Sequence, residues 1–247
     1  MDTAAFQKKV NEMIKEYYGS AGWMLYSADR LSRLGGQIYM KQHGIFTRHS
    51  RQMWANVVGM CPEAEVRRYI VRENLYEEEG IEEKSHFLKL VTCGEAVGLT
   101  KDEIVHAEAL PTTRASLLIW ETLTKNRHWL IGAAAKSALE LASTPECGSA
   151  SHVQGQLWMS KLGLTREQAA FWVIHDELDS IHGGGAFDLV LKYLGQQNIV
   201  AEADILRAVE DSTMAMKIFM DGIAVAADAA DATNLSVRRA TTGKAAV

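Results

Sequence analysis

The chain has 247 residues with 26 basic and 31 acidic side chains, a formal net charge of -5, three prolines and three cysteines. An acidic chain with scattered basic residues is not expected to bind nucleic acid, because phosphate binding needs clustered Lys and Arg. The widely spaced Cys61, Cys93 and Cys147 indicate free thiols rather than disulfides, and no apolar run reaches the ~20 residues of a membrane span. We expect a cytoplasmic protein that binds neither nucleic acid nor membrane.

The first half of the chain is predicted to be helical. Apolar residues recur at helical spacing over three ranges: 3–18, 23–33 and 38–60. Gly35 and Gly36 are predicted to end the second of these helices. Pro62 is predicted to begin the next, which leads through the acidic run 77–83 toward His86.

The second half is also predicted to be helical. Thr100 with Glu103, and Thr165 with Gln168, have the capping-box pattern that begins a helix. Between them a long apolar helix is predicted, and the chain is predicted to end in two further helices; their ranges are 115–142, 187–194 and 201–230. We expect an all-α protein with one domain, residues 1–235, and a flexible tail, residues 236–247.

Metal-binding side chains recur on the helix predicted to follow Thr165. His175, Asp179 and His182 stand at i, i+4 and i+7, within an arc of roughly 60° on one helix face. One carboxylate with two imidazoles suits iron, manganese or zinc. The glycines Gly183, Gly184 and Gly185 follow directly, and they are predicted to be either a hinge that metal binding orders or a simple helix end.

Two other helices offer further ligands. Glu79 and His86 are seven residues apart and are predicted to share a helix face, with Glu78, Glu82 and Glu83 as competitors for Glu79. Glu140 is the sole acid of an apolar helix, and its alternative is an exposed i, i+4 ion pair with Lys136. With the residues of the late helix, three carboxylates and three imidazoles could hold two irons.

The pattern of E-x6-H, a lone Glu on a later helix and H-x3-D-x2-H resembles the heme-oxygenase-like diiron oxidases. The resemblance covers the chain from about Trp23 to Ala230. It implies a seven-helix heme-oxygenase-like bundle, two Fe(II) ions with O2 as cosubstrate, and six ligands: Glu79, His86, Glu140, His175, Asp179 and His182. It also implies natural-product or amino-acid chemistry, and it allows a homodimer.

The resemblance implies a small, amino-acid-derived substrate. Chain size and motif spacing are similar to a member of the family that converts a brominated tryptophan to an indole-3-carbonitrile. Oxidative C–C cleavage, decarboxylation or N-oxygenation of another amino or fatty acid is the alternative. Arg30, Arg114 and Lys136 are candidates to bind a substrate carboxylate. Seven aromatic residues are candidates for the pocket or the core: Tyr26, Tyr39, Phe46, Trp54, Phe87, Trp120 and Trp172.

Other classes of function remain open from the sequence. A metal-free, thiaminase-like hydrolase would use a catalytic cysteine, and a binding module would take up no metal. A heme oxygenase would need a proximal histidine on an early helix, for which His43 and His49 are candidates.

Overall fold

The computed structural model describes residues 2–80, 85–196 and 199–243, and the side chains of residues 77, 176–183 and 237–243 lie outside this description. Every regular element in these ranges is helical, which confirms the all-α prediction. A π-helical segment, Ile70–Leu75, and a 3₁₀ turn, Pro145–Cys147, accompany the α-helices. The α-helices are α1 (Thr3–Gly19), α2 (Gly22–Arg30), α3 (Arg33–Met60), α4 (Ala64–Tyr69), α5 (Tyr76–Glu79), α6 (His86–Ala96), α7 (Lys101–Val105), α8 (Pro111–Lys125), α9 (Trp129–Leu141), α10 (Ala150–Leu162), α11 (Ala170–Leu194) and α12 (Glu202–Gly243).

The long helices α3, α8, α9, α11 and α12 pack against one another and form the centre of the bundle. Large aromatic side chains fill the space between them, and Trp54, Trp120 and Phe219 are each almost fully buried. Truncating one such side chain to Ala typically costs about 3–5 kcal/mol. The twelve described α-helices exceed the predicted seven because several of them, such as α5 and α7, are only four or five residues long.

The helix start predicted at Thr100 is confirmed, whereas the capping-box bonds at Thr165 form in a turn and α11 begins only at Ala170. Thr100 and Glu103 form a reciprocal capping box at the start of α7. The side chain of Gln168 accepts from the Thr165 amide, and Thr165 Oγ1 accepts from the Gln168 amide, one turn before α11 begins. These bonds satisfy amides that have no partner within a helix.

Gly35 and Gly36 do not end a helix, contrary to prediction. Both lie in the first turn of α3, where a Cβ on Gly35 would overlap the Tyr26 ring and one on Gly36 would lie 3.3 Å from Trp158. The two glycines therefore serve close packing of aromatic side chains against α3.

The predicted apolar helix 115–142 is broken. Helix α8 ends at Lys125, and α9 begins at Trp129, with the His128 side chain accepting from the Leu130 amide at the new N-terminus. Gly132 then allows close approach, because a Cβ there would lie 3.1 Å from Thr124 Cα. The break lets the two helices pack against each other.

The glycine run Gly183–Gly185 does not end a helix either, because α11 is continuous from Ala170 to Leu194. A Cβ on Gly185 would overlap the Tyr69 hydroxyl, so this glycine allows close contact between α11 and α4. The last helix continues to Gly243, which makes the backbone of residues 236–243 helical. Among the described helices, none has the length and apolar character to cross a membrane.

Candidate metal centre

A cavity of about 100 Å³ lies inside the bundle, among residues of α3, α9 and α11. Three of the six predicted ligands line it: His86 from the start of α6, Glu140 from α9 and His175 from α11. Glu78, which the sequence offered only as a competitor for Glu79, lines it as well. Side chains that are distant in sequence therefore meet at one buried place.

The chain between Glu79 and His86 is not one helix, so the prediction that they share a helix face is wrong. Helix α5 ends at Glu79, and Gly80 follows with a φ of 68°, a left-handed conformation that favours glycine. His86 begins a separate helix after residues 81–84, which lie outside the described residues. Helical periodicity therefore does not relate the two side chains.

Glu79 lies at the protein surface. Its carboxylate is 3.4 Å from Arg51 Nη1, and the two side chains are 51% and 46% exposed. The structure does not bring Glu79 to His86, Glu140 or His175.

Glu78, and not Glu79, lies beside His86 in the cavity. Its Oε1 accepts from Ser50 Oγ at 2.8 Å, and its Oε2 lies 3.6 Å from His86 Nδ1. Burial alone would raise the pKa of this carboxyl, but His86, the Lys136 ammonium and Ser50 together lower the pKa to about 2. Glu78 is therefore an anion in the cavity at neutral pH.

Glu140 is held by three donors. Trp54 Nε1 and Lys136 Nζ donate to its Oε1 at 2.8 and 2.7 Å, and Asn74 Nδ2 donates to its Oε2 at 3.0 Å. Asn74 comes from the π-helical segment, a local irregularity that is frequent at functional sites. The predicted pair with Lys136 exists, but it is buried rather than exposed, with Lys136 only 3% exposed.

His175 is a neutral imidazole with a defined tautomer. Its Nδ1 lies 2.6 Å from the carbonyl oxygen of Phe171, which can only accept, so Nδ1 carries the proton and Nε2 keeps a lone pair. Burial, together with the neighbouring His86, lowers the pKa of His175 to about 3. The rings of His86 and His175 are 4.6 Å apart between centroids.

Asp179 and His182 complete the predicted set, and their side chains lie outside the described residues. The continuous backbone of α11 keeps them on the helix of His175, at the predicted spacing. Among the described residues alone, no group of three or more His, Cys, Asp or Glu side chains is arranged to hold a metal ion. The assignment of Asp179 and His182 as metal ligands therefore stays a prediction.

The chemistry of the described donors fits a divalent metal. Metal ligands must be deprotonated, and burial, by lowering the pKa of His175, keeps its imidazole in that form. Asn74 Oδ1 is buried and has no hydrogen-bond partner among the described residues, although buried polar atoms are normally paired. An ion or a water bound to an ion would supply that partner.

Aromatic side chains form the wall of the cavity beyond these polar groups. Tyr39, Phe46, Phe171 and Trp172 line it, and the His43 ring stacks on Tyr39 with centroids 5.0 Å apart. Of the other aromatic candidates, Trp54 contacts Glu140, while three do not line the cavity: Tyr26, Phe87 and Trp120.

The three predicted candidates for binding a substrate carboxylate are separated by the structure. Arg30 pairs with Asp228 at the surface, and Arg114 donates to the backbone oxygen of Ala109. Lys136 lines the cavity.

The described cavity does not present a cysteine. Cys61, Cys93 and Cys147 are all buried free thiols, none of them lines the cavity, and burial raises the pKa of each, that of Cys147 to about 11. A thiol with a raised pKa is a poor nucleophile.

The two heme-ligand candidates do not share a site. His43 lines the cavity, and His49 lines a separate surface groove between α3 and α8. At about 100 Å³ the cavity is also smaller than the roughly 300–1,000 Å³ of common ligand pockets.

The bundle and its buried polar cavity define a protein of the heme-oxygenase-like fold. A heme-oxygenase-like domain of unknown function from Shewanella denitrificans superposes with a TM-score of 0.74 at 15% identity, covering 90% of this chain and 92% of that one. A TenA homologue from Pseudomonas syringae gives 0.72 at 14% identity, covering 89% and 92%. A CADD-like protein of unknown function from Nostoc punctiforme gives 0.72 at 17%, covering 91% and 97%. These likenesses establish the fold.

The chain belongs to the family of iron-containing redox enzymes, whose family model matches residues 37–215. This range contains Glu78, His86, Glu140 and His175, and also Asp179 and His182 on α11. Comparison with curated proteins gives no match.

Proposed function

We propose that this protein is an O2-dependent non-heme diiron oxidase. The observation that carries the proposal is the meeting of Glu78, His86, Glu140 and His175 at one cavity, in a chain of the iron-containing redox enzyme family. Buried carboxylates and imidazoles of this kind suit iron, and helical bundles hold diiron sites in their cores.

The proposed ligands come from four helices of the bundle. Glu78, His86 and Glu140 would bind from α5, α6 and α9, and α11 would contribute His175 with Asp179 and His182. Glu78 replaces Glu79 in this set, because Glu79 is exposed and paired with Arg51. Two ferrous ions held there would supply the electrons for reducing O2.

The chain's own groups prepare the site for this chemistry. Ser50 orients Glu78, and Trp54 and Asn74 orient Glu140, each through a side-chain hydrogen bond. The Phe171 carbonyl fixes the His175 tautomer. Such outer contacts are worth 10–100-fold in metal affinity or activity. The aromatic wall excludes water from the place where a substrate would react.

We further propose that the substrate is a small aromatic amino acid. The walls formed by Tyr39, Phe46, Phe171 and Trp172 suit an aromatic side chain. The specific candidate is a brominated tryptophan converted to an indole-3-carbonitrile. A tryptophan would need the cavity to widen, since an engineered cavity of roughly 150 Å³ accommodates benzene. The alternative reactions are C–C cleavage, decarboxylation or N-oxygenation of another amino or fatty acid.

The proposal is tested by anaerobic reconstitution. The metal-free protein is incubated with ferrous iron, desalted and assayed for bound iron, and O2 is then admitted with and without candidate amino acids. We expect about two irons per chain, O2 consumption that depends on the amino acid, and a product that identifies the reaction. Binding well below two irons, or no oxidation of any candidate, would count against a diiron oxidase. Product formation by the metal-free protein would instead favour the hydrolase.

A further inference from the structure

Lys136 is a buried cation inside the proposed metal site. Its side chain is 3% exposed, and its ammonium lies 2.7 Å from Glu140 Oε1 and 5.0 Å from the centre of the Trp54 ring. It is also among the groups that lower the pKa of Glu78. Among the residues that line the described cavity, it is the one Lys or Arg. Lysine is rarely buried unless it is paired with an opposite charge.

The Lys136 bond limits what Glu140 can offer to a metal. A carboxylate has about four lone-pair sites, two on each oxygen. Glu140 Oε1 already accepts from Trp54 and Lys136, while Oε2 accepts from Asn74 alone. With these three hydrogen bonds, Glu140 has a free lone pair on Oε2 only. To coordinate a metal through both oxygens, Glu140 must lose one of the two donors on Oε1, Trp54 or Lys136.

The electrostatics identify Lys136 as the donor that withdraws. Trp54 is neutral and almost fully buried, so its indole N–H can stay beside a metal-bound carboxylate. The Lys136 ammonium carries a charge that repels a divalent cation bound to Glu140. It also sits on a flexible four-carbon chain that can carry the ammonium away from Glu140.

We infer that Lys136 is an internal counter-ion for Glu140. Lys136 holds this carboxylate in place in the metal-free protein and releases it when a divalent metal binds. The inference rests on the proposed metal site and concerns how that site is loaded. Lys136 is thus a positioning residue that acts through Glu140. An ordinary structural ion pair would not compete with metal, and a residue that only orients a ligand would support metal binding.

The test is a titration with Mn(II), a redox-stable divalent ion, of the metal-free full chain and of Lys136→Met. Methionine keeps the length and apolar stem of the side chain but removes the charge. The matched control is Lys125→Met. Lys125 forms another i, i+4 pair, with Glu121 at 3.2 Å, but the side chains of this pair are 60% and 53% exposed. Calorimetry then gives the Mn(II) affinity of each protein.

We expect Lys136→Met to bind Mn(II) at least about tenfold more tightly than the unmodified chain, because a repelling charge and a competing bond are removed. Lys125→Met should bind it with unchanged affinity. The metal-free Lys136→Met protein should melt at a lower temperature, because Glu140 loses its counter-ion, and saturating Mn(II) should raise its melting temperature more than that of the unmodified chain.

Unchanged or weaker Mn(II) binding by folded Lys136→Met would overturn the inference. Should that variant fail to fold, Lys136→Gln keeps an amide donor for Glu140 without the charge, and the same rise in affinity is expected of it. Equal Mn(II) binding by the unmodified chain and the variant would reject this inference alone. If neither the unmodified chain nor the variant binds Mn(II), both this inference and the proposed function are rejected.

Discussion

Replacing Glu78 and Glu79 in turn by glutamine compares two adjacent glutamates, one of which faces the cavity and the other solvent. Glu78 faces the cavity beside His86 and accepts from Ser50, whereas Glu79 faces solvent beside Arg51. Glutamine preserves the size of each side chain and removes its charge. The comparison therefore measures what the charge contributes at each position.

The expected magnitudes differ widely. Glu79→Gln loses an exposed ion pair, which is worth about 0–1 kcal/mol, and its iron affinity should stay within about twofold. Glu78→Gln loses a direct ligand in our proposal. Since removing outer partners of metal ligands already costs 10–100-fold, we expect its iron affinity to fall at least about 100-fold.

The assay is anaerobic titration with ferrous iron, with melting of the metal-free proteins to show that each variant folds. Glu78→Gln should bind about one iron or fewer, and Glu79→Gln about two. The reverse order, with Glu79→Gln losing iron and Glu78→Gln retaining it, would refute the assignment of Glu78 and restore Glu79 as the ligand.

Three further outcomes follow from the structure. Gly185→Ala should destabilise the protein by about 1–3 kcal/mol in urea unfolding, because its methyl group meets the Tyr69 ring. Gly184→Ala, which meets no described atom within 4 Å, should stabilise the protein by up to about 1 kcal/mol, and equal effects of the two variants would contradict the Tyr69 contact. Thr100→Ala should cost about 1 kcal/mol by the same measurement through loss of the α7 capping box, and no change would show that the box is not formed. The three buried cysteines should react slowly with a thiol reagent in the native protein, and a variant with serine at all three positions should keep its iron. Fast labelling of one thiol with loss of activity would support the thiaminase-like alternative.

The sequence predicted those parts of the fold that depend on local signals. The apolar spacing of Phe6, Val10 and Ile14 defines the buried face of α1, and the pairing of Thr100 with Glu103 begins α7 as expected. These signals operate within a few residues, so one sequence is enough to interpret them.

Whether a glycine ends a helix or allows close packing is predicted less well from sequence, because it depends on residues that are distant in the chain. Gly35 and Gly185 resemble helix stops in sequence, but each lies inside a helix, where it admits the side chain of Tyr26 or Tyr69. Gly80, by contrast, does follow a helix end, because α5 ends at Glu79 and Gly80 has a φ of 68°. Only the packing partner distinguishes these uses.

The same limit explains Glu78. A spacing of seven favours Glu79 if one helix connects it to His86, and the break at Gly80 removes that premise. The sequence offers several competing glutamates in this segment, and only the structure shows that Glu78 is the one that lines the cavity. The environment of Lys136 is likewise not predictable from sequence. The i, i+4 spacing predicts the pair with Glu140, but it cannot show that the pair is buried.

Crystallographic anomalous scattering at the iron edge, from the protein loaded anaerobically with ferrous iron, tests the central claim most directly. We predict two iron peaks within the cavity, in contact with Glu78, His86, Glu140 and His175 and with the α11 residues Asp179 and His182. Iron bound elsewhere, a single iron held by Glu79, or no iron in a cavity of unchanged geometry would contradict it.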